Sequence, residues 1–274
     1  MSWLQALWRP LALSFLAVAM ANASLANGAS PQPAKQYEPT PGQQGKDVIW
    51  LPTASTVVDT MLNLANVTAS DFVIDLGSGD GRTVISAAKR GARALGIEYN
   101  ADMVELSRRN AEKEGVSDKT QFMKADLFES DFSQATVVTM FLLPTINIKL
   151  RPKILDLKPG TRVVSNSFDM GDWTADETSR VTQDCSTHCT AFFWIVPAKV
   201  AGKWQTPQGE LVLEQNYQMI SGTHASAPIT DAKLRGDEIT FTAAGAQYRG
   251  RVAGNTIEGT GANNAAWRAT RAGP

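Results

Sequence analysis

The sequence predicts an α/β fold, a parallel sheet wrapped by helices, followed by a small antiparallel all-β domain. Three observations predict it. Short apolar runs alternate with amphipathic stretches between residues 47 and 168. One such run, VIDL at 73–76, passes straight into the glycine-rich turn GSGDG at 77–81. Beyond residue 202 the helical spacing gives way to short alternating strands separated by Gly-Asp, Gly-Asn and Ala-Gly turns. Strands alternating with helices bury both faces of a parallel sheet, whereas closely spaced short strands pair antiparallel.

Each element follows from a local pattern. Residues 53–66 (TASTVVDTMLNLAN) place Val57, Met61, Leu64 and Ala65 at helical spacing. Residues 72–76 form a first strand, and 82–90 the helix after the glycine turn. Residues 93–99 form a second strand, 101–114 a charged amphipathic helix closed by Gly115, and 120–125 a third strand. A fourth strand at 135–142, a helix at 146–157 stopped by Pro159-Gly160, and a fifth strand at 161–168 complete the alternation. Two strands at 178–183 and 190–196 then face each other across a tight turn, as an antiparallel edge hairpin. Six strands are expected beyond residue 202, at 210–214, 217–221, 238–242, 247–252, 256–260 and 267–270, arranged as a meander or partial barrel.

The N-terminus reads as a targeting segment. Arg9 precedes the apolar run LALSFLAVAM at 11–20, and small residues follow at 21–23 and 24–26. That run is too short to span a bilayer, which takes about 20 residues. Residues 1–26 are therefore expected to be a cleaved signal peptide and the chain to be exported, in the periplasm; an uncleaved membrane anchor is the alternative. Residues 27–46, rich in Pro, Gln, Gly and Ala, read as a flexible linker. The folded domains are expected at 47–200 and 203–274.

Composition narrows the function. The 274 residues carry 26 Lys and Arg against 27 Asp and Glu, a net charge of −1, which argues against a nucleic-acid partner because an extended footprint needs a basic excess. Apolar residues at 43% exclude a disordered chain, and two Cys exclude a disulfide-dense scaffold.

The chemistry concentrates where strands end. Glycines at 77, 79 and 81 let the backbone bend sharply and approach a ligand closely. Their spacing is G-x-G-x-G rather than the G-x-G-x-x-G of dinucleotide sites. Asp75 precedes the turn, and Asp80 lies within it alongside Ser78. Two carboxylates there oppose a pyrophosphate and suit a ligand whose nearby part is cationic, such as the ammonium and sulfonium of S-adenosylmethionine. Glu98 ends the second strand, 21 residues after Gly77, where a carboxylate accepts two ribose hydroxyls. Asp126 ends the third strand, with Leu127 and Phe128 offering an apolar wall to a purine. Each acid alone reads better as a cap or turn residue; the three in register with the glycine turn read as one site.

On these residues the chain resembles a family. VIDLGSGDGR, GIEYN and KADLF look like the first three motifs of class I S-adenosylmethionine-dependent methyltransferases. WLPTAST, FLLPTINIKLRPKILDLKPGTRVVS and FDMGDW are similar to a bacterial branch related to the mitochondrial lysine methyltransferases of the ATP synthase c-subunit and the adenine nucleotide translocase. The resemblance covers residues 47 to about 199 and implies a Rossmann-like seven-stranded sheet ending in the edge hairpin. It implies S-adenosyl-L-methionine as cofactor and in-line methyl transfer, with a protein side chain, lysine in first place, as acceptor. The cofactor residues it implies are Asp75, Gly77, Ser78, Gly79, Asp80, Gly81, Glu98, Asp126 and Leu127, with Thr53 from the N-terminal side. Many amino-group methyltransferases carry Asp/Asn-Pro-Pro-aromatic after the fourth strand. Here the place reads Phe141-Leu142-Leu143-Pro144, so Asn147 becomes the catalytic candidate at the acceptor mouth, with Asp169 and Trp173 lining its entrance.

Competing readings are a non-catalytic methyltransferase-like binding module in the cell envelope and, against the acidic turn, a nucleotide-dependent oxidoreductase. Cys185-Ser-Thr-His-Cys189 reads as a disulfide clamp, as free thiols, or as a metal site with His188 that lacks an obvious fourth ligand. His224 reads as a solvated loop residue.

Overall fold

The computed structural model describes residues 36–273. The expected signal peptide and the first part of the expected linker lie outside the described residues.

Helix α1 (Ser55–Leu64) precedes strand β1 (Phe72–Leu76), α2 (Arg82–Lys89), β2 (Arg93–Glu98), α3 (Ala101–Lys113) and β3 (Thr120–Lys124). Then come β4 (Val137–Met140), α4 (Pro144–Leu155), β5 (Arg162–Asn166), β6 (Glu177–Arg180) and β7 (Thr190–Ile195). Local chemistry sets the helix ends. The Asn100 side chain caps α3 by accepting from the Asp102 and Met103 N–H groups. Pro144 opens α4, where its missing N–H costs nothing.

The seven strands order as β3-β2-β1-β4-β5-β7-β6, with β7 antiparallel to both its neighbours and the remaining pairs parallel. Because successive strand residues point to opposite faces, adjacent residues supply two cores. Val73, Val137, Val164 and Phe193 face α1, α2 and α3. Ile74, Val138, Val163 and Trp194 face Ile146, Leu150 and Ile154 of α4. The strand order reverses beside β1, so the segments that follow β1 and β4 leave toward opposite faces of the sheet, which is where such sheets open a crevice.

Eight further strands, β8 (Gly202–Thr206), β9 (Gly209–Asn216), β10 (Met219–His224), β11 (Ala227–Arg235), β12 (Glu238–Ala243), β13 (Ala246–Ala253), β14 (Thr256–Thr260) and β15 (Ala266–Arg271), close into an antiparallel barrel. Two of them, β8 and β11, are absent from the six expected by sequence. β8 buries little besides Trp204, and β11 begins beside Pro228 and is broken by a register shift between Thr230 and Lys233 with Asp231 at φ 50°, so neither alternates cleanly. The two-residue turns Gly236-Asp237 and Gly254-Asn255 link their hairpins with the glycine at positive φ. His224, expected in solvent, lies inside the barrel at 3% exposure against Phe241, Tyr248 and Trp267. Its Nε2 pairs with the Thr206 hydroxyl at 2.9 Å, and burial holds its pKa below the usual histidine value.

Sheet and barrel belong to one compact unit that begins at Tyr37. The β9–β10 turn grips the loop after β5. Gln218 accepts from the Trp173 indole N–H (3.0 Å) and donates to the Thr174 carbonyl (2.8 Å), while the Tyr217 ring stacks on Trp173 with centroids 5.8 Å apart. Trp173 is fully buried there, so it packs the core rather than lining an entrance as the sequence suggested. Gln218→Leu strands a buried indole N–H. We expect it to cost about 1–3 kcal/mol, lowering the midpoint of thermal unfolding by roughly 2–4 °C per kcal/mol, read by calorimetry.

Candidate active site

The site lies where β1 runs into α2. Gly77, Gly79 and Gly81 adopt φ of 78°, 54° and 82°, a region other residues enter at a cost. The Gly77 and Ser78 N–H groups donate to the Ile97 carbonyl at 2.9 and 3.1 Å, tying the turn to the end of β2. Helix α3 pins it from beneath: the Ser107 hydroxyl donates to the Gly79 carbonyl (2.9 Å), and the Asn110 amide to the Asp80 carbonyl (2.9 Å). A Cβ on Gly79 would stand 2.6 Å from Trp50 Nε1. Gly79→Ala therefore pairs backbone strain with displacement of Trp50. We expect cofactor affinity to fall at least tenfold by calorimetric titration.

The cleft above the turn encloses about 1050 Å³, open solvent at its mouth included. Asp75, Gly77, Ser78, Gly79, Asp80, Glu98, Asp126, Leu127 and Thr53 all line it, so the structure brings these expected cofactor residues together. Gly81 sits one step behind as the N-cap of α2.

The acids differ in state. Asp75 is buried and accepts from the Thr139 hydroxyl at 2.6 Å. Burial pushes its pKa up to about 7, with Glu98 and Asp80 adding to the rise against the Thr139 bond. Glu98 accepts from the Gly79 N–H through Oε2 (3.0 Å) and from the Asn100 N–H through Oε1 (2.8 Å), which orients its carboxylate at the end of β2. Asp80 is neutralised by a forked pair with Arg82, whose Nη1 also donates to the Thr53 carbonyl at 2.7 Å. The acidic charge left at the turn thus comes chiefly from Glu98, with Asp75 adding its own as pH rises through about 7. Asp126 accepts from the Phe128 N–H and from Lys46 Nζ (2.6 Å); the Lys46 bond leads the groups that hold its pKa below the usual carboxylate range.

Lys46 belongs to a segment that sequence reading assigned to a linker. Residues 43–46 of that expected linker instead wall the cleft together with 47–53, with Trp50 over Gly79 and the Lys46 ammonium 5.1 Å from the Tyr99 ring. The Gly42 and Trp50 N–H groups donate to the Trp50 and Gln43 carbonyls, closing the segment on itself. Residues 43–46 have no helical or alternating periodicity, so no pattern marked them.

Asn147 is not at the acceptor mouth. It is fully buried and outside the cleft lining; its amide donates to the carbonyls of Phe168 (3.1 Å) and Asp169 (3.0 Å). It is a positioning residue for the loop after β5. Thr139, Arg82, Trp50 and Phe141 are the contributors that sequence reasoning missed. Asp169 is exposed in that loop and accepts from the Gly171 N–H.

A mixed sheet of this order, a glycine turn at the switch point and acids at three successive strand ends define the S-adenosylmethionine-dependent methyltransferase class. The residues fit the cofactor: Glu98 sets a backbone-anchored carboxylate beside the turn, a bound cation would favour the charged form of the buried Asp75 next to it, and a diphosphate would meet Glu98 as repulsion. Residues 75–177 match the family model described as the ANTKMT methyltransferase domain. A protein-lysine N-methyltransferase of Saccharolobus islandicus is 42% identical over 152 residues, covering 54% of this chain and 94% of the relative. The Mus musculus lysine N-methyltransferase of the ATP synthase c-subunit is 32% identical over 196 residues, covering 71% of this chain and 76% of the relative. A solved structure described as an RNA methyltransferase from Salinibacter ruber in complex with S-adenosyl-L-homocysteine is 49% identical, covers 55% of this chain and 96% of its own, and superposes with a TM-score of 0.52.

The chain belongs to this family of S-adenosylmethionine-dependent methyltransferases. Membership places it among enzymes, ahead of the binding-module and oxidoreductase readings.

Proposed function

We propose that this enzyme methylates the side-chain nitrogen of lysine in a protein. The observation that carries the proposal is the buried Asp75 carboxyl beside Glu98, at the head of a cleft whose inner wall, Met140 to Leu142, is apolar. The cofactor supplies an electrophilic methyl on its sulfonium. Asp75 and the backbone of residues 77–79 would receive its amino-acid end, Glu98 its ribose hydroxyls, and Asp126 with Leu127 its purine. Thr53 and Trp50 close the N-terminal side.

The acceptor nitrogen must be neutral to attack. Phe141 stands where related enzymes place a polar side chain, so deprotonation rests on desolvation, which lowers a lysine pKa and lets the proton leave to water at the open mouth of the cleft. The relatives named as lysine methyltransferases support this acceptor. The relative described as acting on RNA favours a different one, but a net charge of −1 gives this chain no basic footprint.

Residues 1–26 we read as an export signal, an uncleaved anchor being the other possibility. A disulfide between Cys185 and Cys189 supports an oxidising compartment. Among the described residues no helix is long and apolar enough to cross a membrane. The antiparallel β6–β7 pair we read as the terminal hairpin of the catalytic sheet, with the barrel as an appended domain.

The test is transfer of a labelled methyl from S-adenosylmethionine to envelope and cytoplasmic extracts, followed by peptide mass spectrometry. We expect methylated lysine. Label confined to RNA would overturn the acceptor assignment. N-terminal sequencing of the fractionated chain checks export, and a cytoplasmic product with Met1 intact rejects it.

A further inference from the structure

Resting on the lysine reading, we propose that Phe141, Phe168 and His188 form one aromatic subsite that takes the acceptor's alkylammonium group, and that the Cys185–Cys189 disulfide holds its third wall in place. Three separate loops converge here. Phe141 follows β4 and lines the cofactor cleft. Phe168 follows β5. His188 sits between the two bonded cysteines in the β6–β7 loop, with φ of 58°. The ring centroids lie 5.1 Å apart for Phe141 and His188, 5.7 Å for Phe168 and His188, and 6.0 Å for the two phenylalanines. All three remain partly exposed, so an aromatic surface runs outward from the cleft.

The surface is held from behind. The Phe168 carbonyl accepts from the Ser165 hydroxyl (2.6 Å) and the Asn147 amide (3.1 Å), and its N–H donates to the Asn166 carbonyl (2.8 Å). That gives the buried Asn147 a purpose the cofactor does not require. His188 has no such anchoring; a left-handed backbone in a five-residue loop costs energy, and the disulfide is the covalent restraint on it.

Aromatic faces carry negative charge and attract a cation within about 6 Å, most strongly once it is desolvated. A lysine ammonium suits such a surface on entry, and it gives its proton to water before the neutral amine advances to the desolvated wall by Leu142 to attack. A methylated one suits it better, because its charge is more weakly hydrated, so the subsite would retain lysine through successive transfers. The same faces could stack a nucleobase. The surroundings favour the cation: Asp169 follows Phe168 and Asp184 precedes Cys185, both exposed, and both repel a phosphate backbone.

The chain holds two histidines, and His224 is buried in the barrel, so the ring proton signals of His188 can be followed by NMR on their own. The probe is Nα-acetyl-Nε-trimethyllysine amide, added to the full chain loaded with S-adenosylhomocysteine. We expect saturable shifts of the His188 signals and at least tenfold weaker binding of the neutral tert-butyl isostere. Phe168→Leu and His188→Ala should each weaken the probe at least fivefold with S-adenosylhomocysteine affinity within twofold of wild type. Reduction of the disulfide should weaken the probe similarly. Equal binding of the isostere, no shift at all, or shifts produced by uridine monophosphate in place of the ammonium would overturn the subsite. Labelled transfer separates the two readings: a wild-type chain that transfers nothing to lysine removes the lysine assignment, whereas lysine transfer at unchanged rate and methylation state in both variants removes only the subsite.

Discussion

Replacing Glu98 with alanine is expected to raise the dissociation constant for S-adenosylhomocysteine by about 10²–10⁴-fold, the summed loss of two hydrogen bonds to a charged acceptor at about 1.5–3 kcal/mol each. The carboxylate also accepts from the Gly79 and Asn100 N–H groups, so its removal loosens the turn and the start of α3 together. Glu98→Gln isolates the charge. Its amide oxygen can keep one of those backbone bonds, and the loss should be smaller, nearer tenfold. Titration calorimetry measures both, and circular dichroism shows whether the fold survives. A change below fivefold for the alanine variant would place the ribose elsewhere.

The second large effect is the pH dependence of cofactor binding. In the free chain burial holds the Asp75 carboxyl neutral up to about pH 7. A cation bound beside it favours the carboxylate, so binding releases a proton whenever the free chain carries one. Affinity should therefore rise with pH up to about 7 and level off above it, being roughly tenfold weaker at pH 6 than on the plateau. Stability of the free chain runs the other way. Its folded pKa lies above the unfolded value, so the native state binds more protons between about pH 4 and 7, and the contribution of Asp75 to stability, complete below the unfolded pKa, is lost as pH rises through 7. Calorimetry in buffers of different ionisation enthalpy counts the released proton. Asp75→Asn should weaken binding and flatten the profile; an unaltered profile would assign the proton to another group.

Much of the site is legible in the sequence. Strand ends are points where the chain must leave the sheet, so acids placed there fall at one edge, and Asp75, Glu98 and Asp126 could be read off spacing alone. The turn glycines were legible because few other residues adopt positive φ. Asn147 was not, because a helix end shows which residues are polar but not which way each faces; packing of α4 on β5 turned its amide inward to the Phe168 carbonyl. Residues 43–46 were not legible for a different reason: an irregular segment has no period, and its place over the cleft depends on bonds such as Lys46 to Asp126, 80 positions apart.

From sequence alone came the α/β sheet, the cationic character of its ligand and the β nature of the C-terminal region, since these rest on periodicity, on charge and on residues with restricted backbone choices. Only the tertiary structure decided that Asp80 is neutralised, that His224 is buried, that the last eight strands close into a barrel gripping the loop of Trp173, and that His188 meets Phe141. Those outcomes are contacts between residues far apart in the chain, and local propensity carries no information about which distant partner a side chain will find.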